Sequence, residues 1–369
     1  MMNIINLNVK ETRMSFRSLI ILAICVVLTS VSFAQWHPFT SEREENLQVN
    51  VLSSTPQETK IEVKVPGYRI VPGPKVDGKD CIIVIIPGAS RLMEKGFPLL
   101  PKLANLVQVH SCDPKIEVIS KDEVEVDLKN PIVPSKGHLT RNIDPEHVPF
   151  EFGPIYFQNT FWVEEKDQFT IGNQFTLRDV HGVRLQVIPV RANHVTMKMK
   201  VLKSAVLSIK CDERAMLEVA AEAPAPVFDE IYANAFLNYA PPARGTVPPI
   251  NNNRLAIVPT AYENCNINAW IALKKQKGFT VTKKVISSET AEQIKAYIQG
   301  EYDAKKIGYI VLFGDVDKMP TLKGKYEGAF SDRLYTRLAG NDNYPDAFIS
   351  RISGRSEERR VGKECRSRW

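Results

Sequence analysis

The residues able to do chemistry are unevenly placed in this chain of 369 residues. All six histidines (His37, His110, His138, His147, His181 and His194) precede a Pro-rich stretch that begins at Ala223. A cysteine or serine nucleophile needs a base within hydrogen-bond reach. Between that stretch and Gly354 the only cysteine is Cys265, and no histidine follows the stretch. This part of the chain therefore has no Cys–His dyad of its own, and Cys265, just before a predicted helix, reads as a structural thiol. There is no Gly-x-Ser-x-Gly elbow, no Cys-x-x-Cys pair and no Gly-rich phosphate loop. Cys81, Cys112, Cys211 and Cys265 are either disulfide-bonded or buried thiols, and spacing does not choose between these. One acidic loop offers more. Asp342, Tyr344 and Asp346 alternate along Gly340-Asn341-Asp342-Asn343-Tyr344-Pro345-Asp346, and Asp315 ends a predicted apolar strand. Calcium takes roughly six to eight oxygens, from carboxylates and carbonyls in loops of this alternation. An ordinary Asn/Asp turn has the same composition, so spacing alone leaves both readings open.

The elements that must position these residues fall into two regions. Twenty-one of the 24 prolines lie between Pro38 and Pro249. Between them, Ile61–Val65, Val124–Leu128, Val183–Val187, Met197–Val201 and Val206–Ile209 alternate apolar and polar residues. Strands of this kind bury one face and wet the other. Many short strands with Pro/Gly punctuation predict a β-sandwich-like domain over 35–225. Cys81–Ile86 is apolar throughout and is expected to be a central strand. A Pro-rich linker, 226–253, holds one candidate docking helix at Phe228–Leu237. From Arg254 the period changes. Strands at 255–258, at 280–282 with 285–286, and at 309–313 alternate with helices. The first helix is Asn266–Lys277, with Ile267, Trp270 and Ile271 on one face. The second is capped by Ser288 or Thr290, with Ile294, Tyr297, Ile298 and Tyr302 in a stripe. Strand–helix–strand–helix–strand predicts βαβ units and a parallel sheet over 254–354. The fold class expected is thus multidomain α+β, a β-sandwich-like region followed by a partial α/β segment.

The ends read as separate from the fold. Arg17, the apolar run Leu19–Leu28 and Ser32-Phe33-Ala34 have the layout of a secretory signal peptide over 1–34, cleaved after Ala34. The ten-residue run is too short for a stable membrane anchor, which needs about 20 residues. Residues 355–369 have no hydrophobic period, and all fifteen match the in-frame translation of a common sequencing adapter whose DNA begins AGATCGGAAGAGC. Of the net charge of +6, +2 lies in residues 1–34 and +3 in 355–369, leaving +1 for the remainder. Nothing in that remainder asks for a nucleic-acid partner.

Motifs in both regions resemble the gingipain family. Gly314-Asp315-Val316-Asp317-Lys318-Met319-Pro320, Ser331-Asp332-Arg333-Leu334-Tyr335 and Gly340–Arg351 are similar to the start of that family's catalytic domain. Gly96–Pro101, Phe175–Arg184 and Phe236–Tyr239 are similar to its β-rich propeptide. The resemblance implies a secreted cysteine endopeptidase with a caspase-like α/β fold, acting on protein or peptide substrates. It implies a propeptide that docks on its own catalytic domain, keeps it latent and assists folding. It also implies a structural calcium ion held by Asp315, the Ala339 carbonyl, Asp342, the Tyr344 carbonyl and Asp346. Arg244, in the linker, is the expected activation cleavage site. The family's catalytic His and Cys lie further along than residue 354, so the printed chain is expected to be inactive. The rival reading is a secreted adhesion or binding module with a non-catalytic α/β segment.

Overall fold

The computed structural model describes residues 35–40, 42–110, 113–211, 228–241, 253–263, 265–305, 307–325 and 328–353. The expected signal segment with Ala34, the linker residue Arg244 and the tail 355–369 lie outside these described residues.

Strands in the first region are β1 (Gln35–Pro38), β2 (Gln48–Ser54), β3 (Glu58–Lys64), β4 (Gly67–Val76), β5 (Lys79–Ile85), β6 (Ser90–Arg91) and β7 (Pro101–Gln108). They continue with β8 (Lys115–Asp127), β9 (Phe169–Ile171), β10 (Phe175–Leu177), β11 (Val180–Val187), β12 (Val190–Asn193) and β13 (Lys198–Lys210). Three antiparallel sheets result, ordered β1-β4-β5, β10-β11-β7-β6 with β9 on β11, and β12-β13-β3-β2 with β8 on β13. The alternation seen in the sequence supplies the core. Ile61 and Val63 of β3, Val183, Leu185 and Val187 of β11, and Met199, Val201, Leu207 and Ile209 of β13 all point inward into one apolar cluster. The two segments expected at 197–201 and 206–209 are one strand, β13, whose pairing with β8 is interrupted by two register shifts. Such bulges let a long strand twist without ending.

The strand at Cys81–Ile86 is not central. β5 pairs with β4 on one side only. It is apolar on both faces because both are covered: Ile82, Val84 and Ile86 enter the main core, while Cys81 packs with Val76 and Val133. Its free edge is closed by a crossing segment, through Ile82 N–H to Pro131 O at 2.9 Å and Val133 N–H to Ile82 O at 2.8 Å. Cys81 and Cys265 are free thiols. Cys211 is disulfide-bonded.

His194 is buried in this domain, with Nε2 accepting from Ile132 N–H at 3.3 Å and the ring 4.2 Å from that of Tyr156. Burial pushes its imidazole down to about 4. The unfolded chain takes up this proton near pH 6.5 and the folded chain does not. Acidification from pH 7 to 4.5 is therefore expected to reduce the stability of the β domain by on the order of 2 kcal/mol through this group. Urea unfolding at the two pH values, compared with His194→Gln, checks this; the variant should show the smaller pH dependence.

In the linker region lies helix α1 (Asp229–Ala235). Phe228, Tyr232 and Phe236 are buried at spacings of four, on one helical face, against Phe175, Leu177 and Val180 of the β domain. Closure here demands a glycine at 182: a Cβ would overlap the Phe236 ring and stand 2.8 Å from that of Phe175.

The last region carries β14 (Asn253–Pro259), α2 (Ile267–Gln276), β15 (Thr280–Ile286), α3 (Ala291–Lys305), β16 (Tyr309–Phe313) and β17 (Phe348–Ile352). All four strands are parallel, in the order β15-β14-β16-β17. Successive residues of β14 and β16 serve opposite faces. Leu255, Ile257, Ile310 and Leu312 pack on Ile294, Ile298 and Tyr302 of α3. Ala256, Val258, Val311 and Phe313 pack on Ile267, Trp270 and Ile271 of α2. Thr290 is the cap of α3: its hydroxyl accepts from Gln293 N–H at 3.3 Å while Gln293 Oε1 accepts from Thr290 N–H at 2.8 Å, a reciprocal capping box. Among the described residues, no helix is long and apolar enough to cross a membrane.

Candidate functional site

The acidic loop and the β domain meet. β10 and β11 form a hairpin whose turn carries Arg178 at φ +54°, a left-handed conformation that thrusts its side chain off the hairpin tip. Arg178 is only 5% exposed. Its backbone N–H donates to Asp346 Oδ1 at 2.7 Å. Its guanidinium donates to the Asp346 carbonyl at 2.8 Å and the Ile307 carbonyl at 3.0 Å, and pairs with Asp179 Oδ2 at 3.2 Å. The guanidinium carbon lies 4.4 Å from the ring centre of Phe228 and 5.5 Å from that of Tyr302. Such stacking suits a planar, weakly hydrated cation.

Asp346 is fully buried, and its second oxygen accepts from Leu338 N–H at 2.6 Å and Ala339 N–H at 2.7 Å. Burial pushes its carboxyl above the usual carboxylate range, against the opposing pull of these backbone donors. Asp342 is similarly committed. Oδ1 accepts from Tyr344 N–H at 2.8 Å, closing an Asx turn, and Oδ2 accepts from Thr176 N–H of the hairpin at 2.8 Å. Tyr344 stacks on Phe175 at 4.2 Å, and its hydroxyl accepts from Arg184 at 3.1 Å. Nearby, Lys295 Nζ donates to the carbonyls of Tyr335 at 3.3 Å and Arg337 at 2.6 Å, and burial lowers its ammonium to about 8.

The five residues expected to share a calcium ion are not brought together. Ala339, Asp342, Tyr344 and Asp346 lie on one loop leading into the amino end of β17. Asp315 follows the carboxyl end of β16. Tyr309 pairs with Phe348 and Phe313 with Ile352, so five paired positions separate the two places. At about 3.3 Å per residue this is on the order of 20 Å along the strands. Calcium–oxygen distances are roughly 2.3–2.6 Å, so one ion cannot take all five. Within the loop, Asp346 and Asp342 already accept five N–H groups between them. Among the described residues, no group of three or more His, Cys, Asp or Glu side chains is arranged to hold a metal ion. Asp315 thus stands apart from the four residues of the loop.

Asp315 belongs to a different construction. Its carbonyl accepts from Lys318 N–H at 3.0 Å and Met319 N–H at 2.8 Å. Arg351 ties the same turn down, donating to the carbonyls of Gly314 at 2.8 Å and Met319 at 2.9 Å while gripping both oxygens of Asp332 at 2.6 and 2.7 Å. This turn lies at the carboxyl ends of the strands, where ligand sites of parallel sheets open.

Arg178 has no periodic signature in the sequence. Its carbonyl partners are 129 and 168 residues away, and in the sequence it stood only within the Phe175–Arg184 motif, with no role assigned. Arg351 and Asp332 stood within the recognised motifs but carried no assigned role.

Residues 40–244 match the family Propeptide_C25, and residues 248–359 match Peptidase family C25. The chain belongs to the C25 peptidase family, with its propeptide region ahead of its peptidase region. It is 28% identical over 348 residues to Gingipain R1 of Porphyromonas gingivalis, covering 91% of this chain and 34% of that protein. It is 28% identical over 350 residues to Gingipain R2 of Porphyromonas gingivalis W83, covering 92% of this chain and 46% of that protein. The chain thus spans less than half the length of these relatives. Among solved structures, the complex of Porphyromonas gingivalis RgpB pro- and mature domains aligns with a TM-score of 0.47 and 25% identity, covering 53% of this chain and 100% of that one. A structure on zymogenic latency of gingipain K from the same organism aligns with a TM-score of 0.42 and 20% identity, covering 48% of this chain and 99% of that one.

Proposed function

We propose that the chain is the propeptide and the first part of the catalytic domain of a secreted, gingipain-like cysteine endopeptidase, held as a zymogen. One observation carries the reading: adjoining propeptide and peptidase family regions, with the first docked on the second through the Arg178 turn. The chemistry would belong to a His-paired Cys thiolate supplied by sequence following residue 354, attacking a peptide carbonyl. What the present residues contribute is position. The Arg351–Asp332 pair fixes the turn at the carboxyl end of β16, and the two helices hold the sheet that later strands would extend. Secretion through a signal segment ending at Ala34, and activation by cleavage at Arg244, belong to the same proposal. So does the reading of 355–369 as adapter-derived; sequencing the locus past codon 354 and finding the same fifteen residues would remove that part. The chain as printed is expected to show no hydrolysis of peptide substrates. Turnover by the purified 369-residue chain, abolished by thiol alkylation, would contradict the assignment of the dyad to later sequence.

A further inference from the structure

We propose that the loop 339–346 is a receptor for an arginine-bearing turn, filled by the chain's own Arg178, and that the docked turn excludes a divalent cation from the loop. The identity of the two parts rests on the zymogen reading above; the chemistry of the contact does not.

Selectivity for arginine follows from the planar face, since one nitrogen, Nη1, makes both carbonyl contacts. The guanidinium reaches two carbonyls, of Ile307 and Asp346, that belong to different chain segments, while its face meets Phe228 and Tyr302. A lysine ammonium is a compact point charge without a planar face to stack, so it cannot reproduce this set. The turn adds two main-chain donors, Thr176 N–H to Asp342 and Arg178 N–H to Asp346. Both carboxylates are thus taken by the hairpin, and an entering cation would compete with these N–H groups and meet the guanidinium beside Asp346. The receptor lies at the amino ends of β16 and β17, opposite the Asp315 turn. Docking here leaves the carboxyl ends of the strands uncovered by this contact.

The test uses the full chain with a sequence-specific protease site placed after Arg244, cut, and the affinity of the two halves measured by analytical ultracentrifugation. Wild-type halves should remain associated. Arg178→Asn should raise the dissociation constant at least tenfold, as expected on losing a buried arginine anchor; asparagine tolerates the left-handed backbone there. Arg178→Lys should weaken association by about tenfold as well. Calcium at millimolar concentration should leave the melting temperature of the intact wild-type chain unchanged. Unaltered affinity in either variant overturns the receptor. Calcium stabilisation of the intact chain that Asp342→Asn abolishes overturns the exclusion. Amide-exchange protection in β11 and β13, equal in wild type and variants, separates lost docking from lost folding; if Arg178→Asn loses it, the lysine variant decides. Absence of peptidase activity in an extended chain would sink the zymogen reading and leave all these results standing.

Discussion

Asp346→Ala is expected to destabilise the α/β segment by about 3–5 kcal/mol, the range for stripping one partner from a buried charged network. The carboxylate sits fully buried among the N–H groups of Arg178, Leu338 and Ala339. Removing it leaves three buried donors without an acceptor, each costing roughly 1–3 kcal/mol where water cannot replace it. The Arg178 guanidinium keeps its bond to the Asp346 backbone carbonyl, so the loss falls on the three N–H groups. Because the chain has two cores, a single unfolding curve does not report this cleanly. Amide exchange at Ile310, Val311 and Leu312, deep in β16, does. These amides should lose protection strongly while those of β13 change far less. Asp346→Asn keeps the volume but turns an N–H₂ group toward one set of donors, and should fall between wild type and alanine. Equal protection of β16 in wild type and Asp346→Ala would show that the loop is peripheral to folding.

Arg351→Ala should cost the segment about 3 kcal/mol, from the opposite end of the sheet. Arg351 is bidentate to Asp332 and also satisfies two carbonyls of the turn that follows β16. Its guanidinium holds the Asp332 carboxyl below the usual range, chiefly through this hydrogen bonding. A lowered carboxyl contributes stability that is present above its unfolded value near pH 4 and is lost as pH falls through the folded value. The variant should therefore be less stable at pH 7 and show a shallower acid limb. Arg351→Lys keeps the charge but not the fork, and should recover less than half of the loss. A full recovery by lysine, monitored by denaturant unfolding at pH 7 and pH 4, would reduce the pair to simple charge attraction.

Much of the fold is legible in the sequence because it is local. Thr290 and Gln293 announce the start of α3, and Ile294, Ile298 and Tyr302 recur at the spacing that buries one helix face. The period-two runs in β3, β11 and β13 name their inward residues before any pairing is known. What escapes is non-local. β17, Phe-Ile-Ser-Arg-Ile, has neither a clean alternation nor an apolar run, and becomes a strand because β16 offers it an edge. Cys81–Ile86 looks central since both faces are buried, yet its covering comes from the irregular 131–135 segment. The acidic loop shows the limit of spacing most directly. Alternating Asp342 and Asp346 suit a cation or a set of N–H groups equally well; three of the N–H groups they receive come from the loop itself, and two, from Thr176 and Arg178, come from 166 and 168 residues away, where spacing cannot show them.

Recovering the coding sequence past residue 354 from source DNA and expressing the extended protein would show whether this chain is the front part of a cysteine peptidase zymogen. A zymogen would carry a His and a later Cys following further strands, and its peptide hydrolysis would appear after cleavage in the linker and disappear when that Cys is changed to Ala. An extended protein without such a pair, or one whose hydrolysis survives loss of every downstream cysteine, would contradict the zymogen reading.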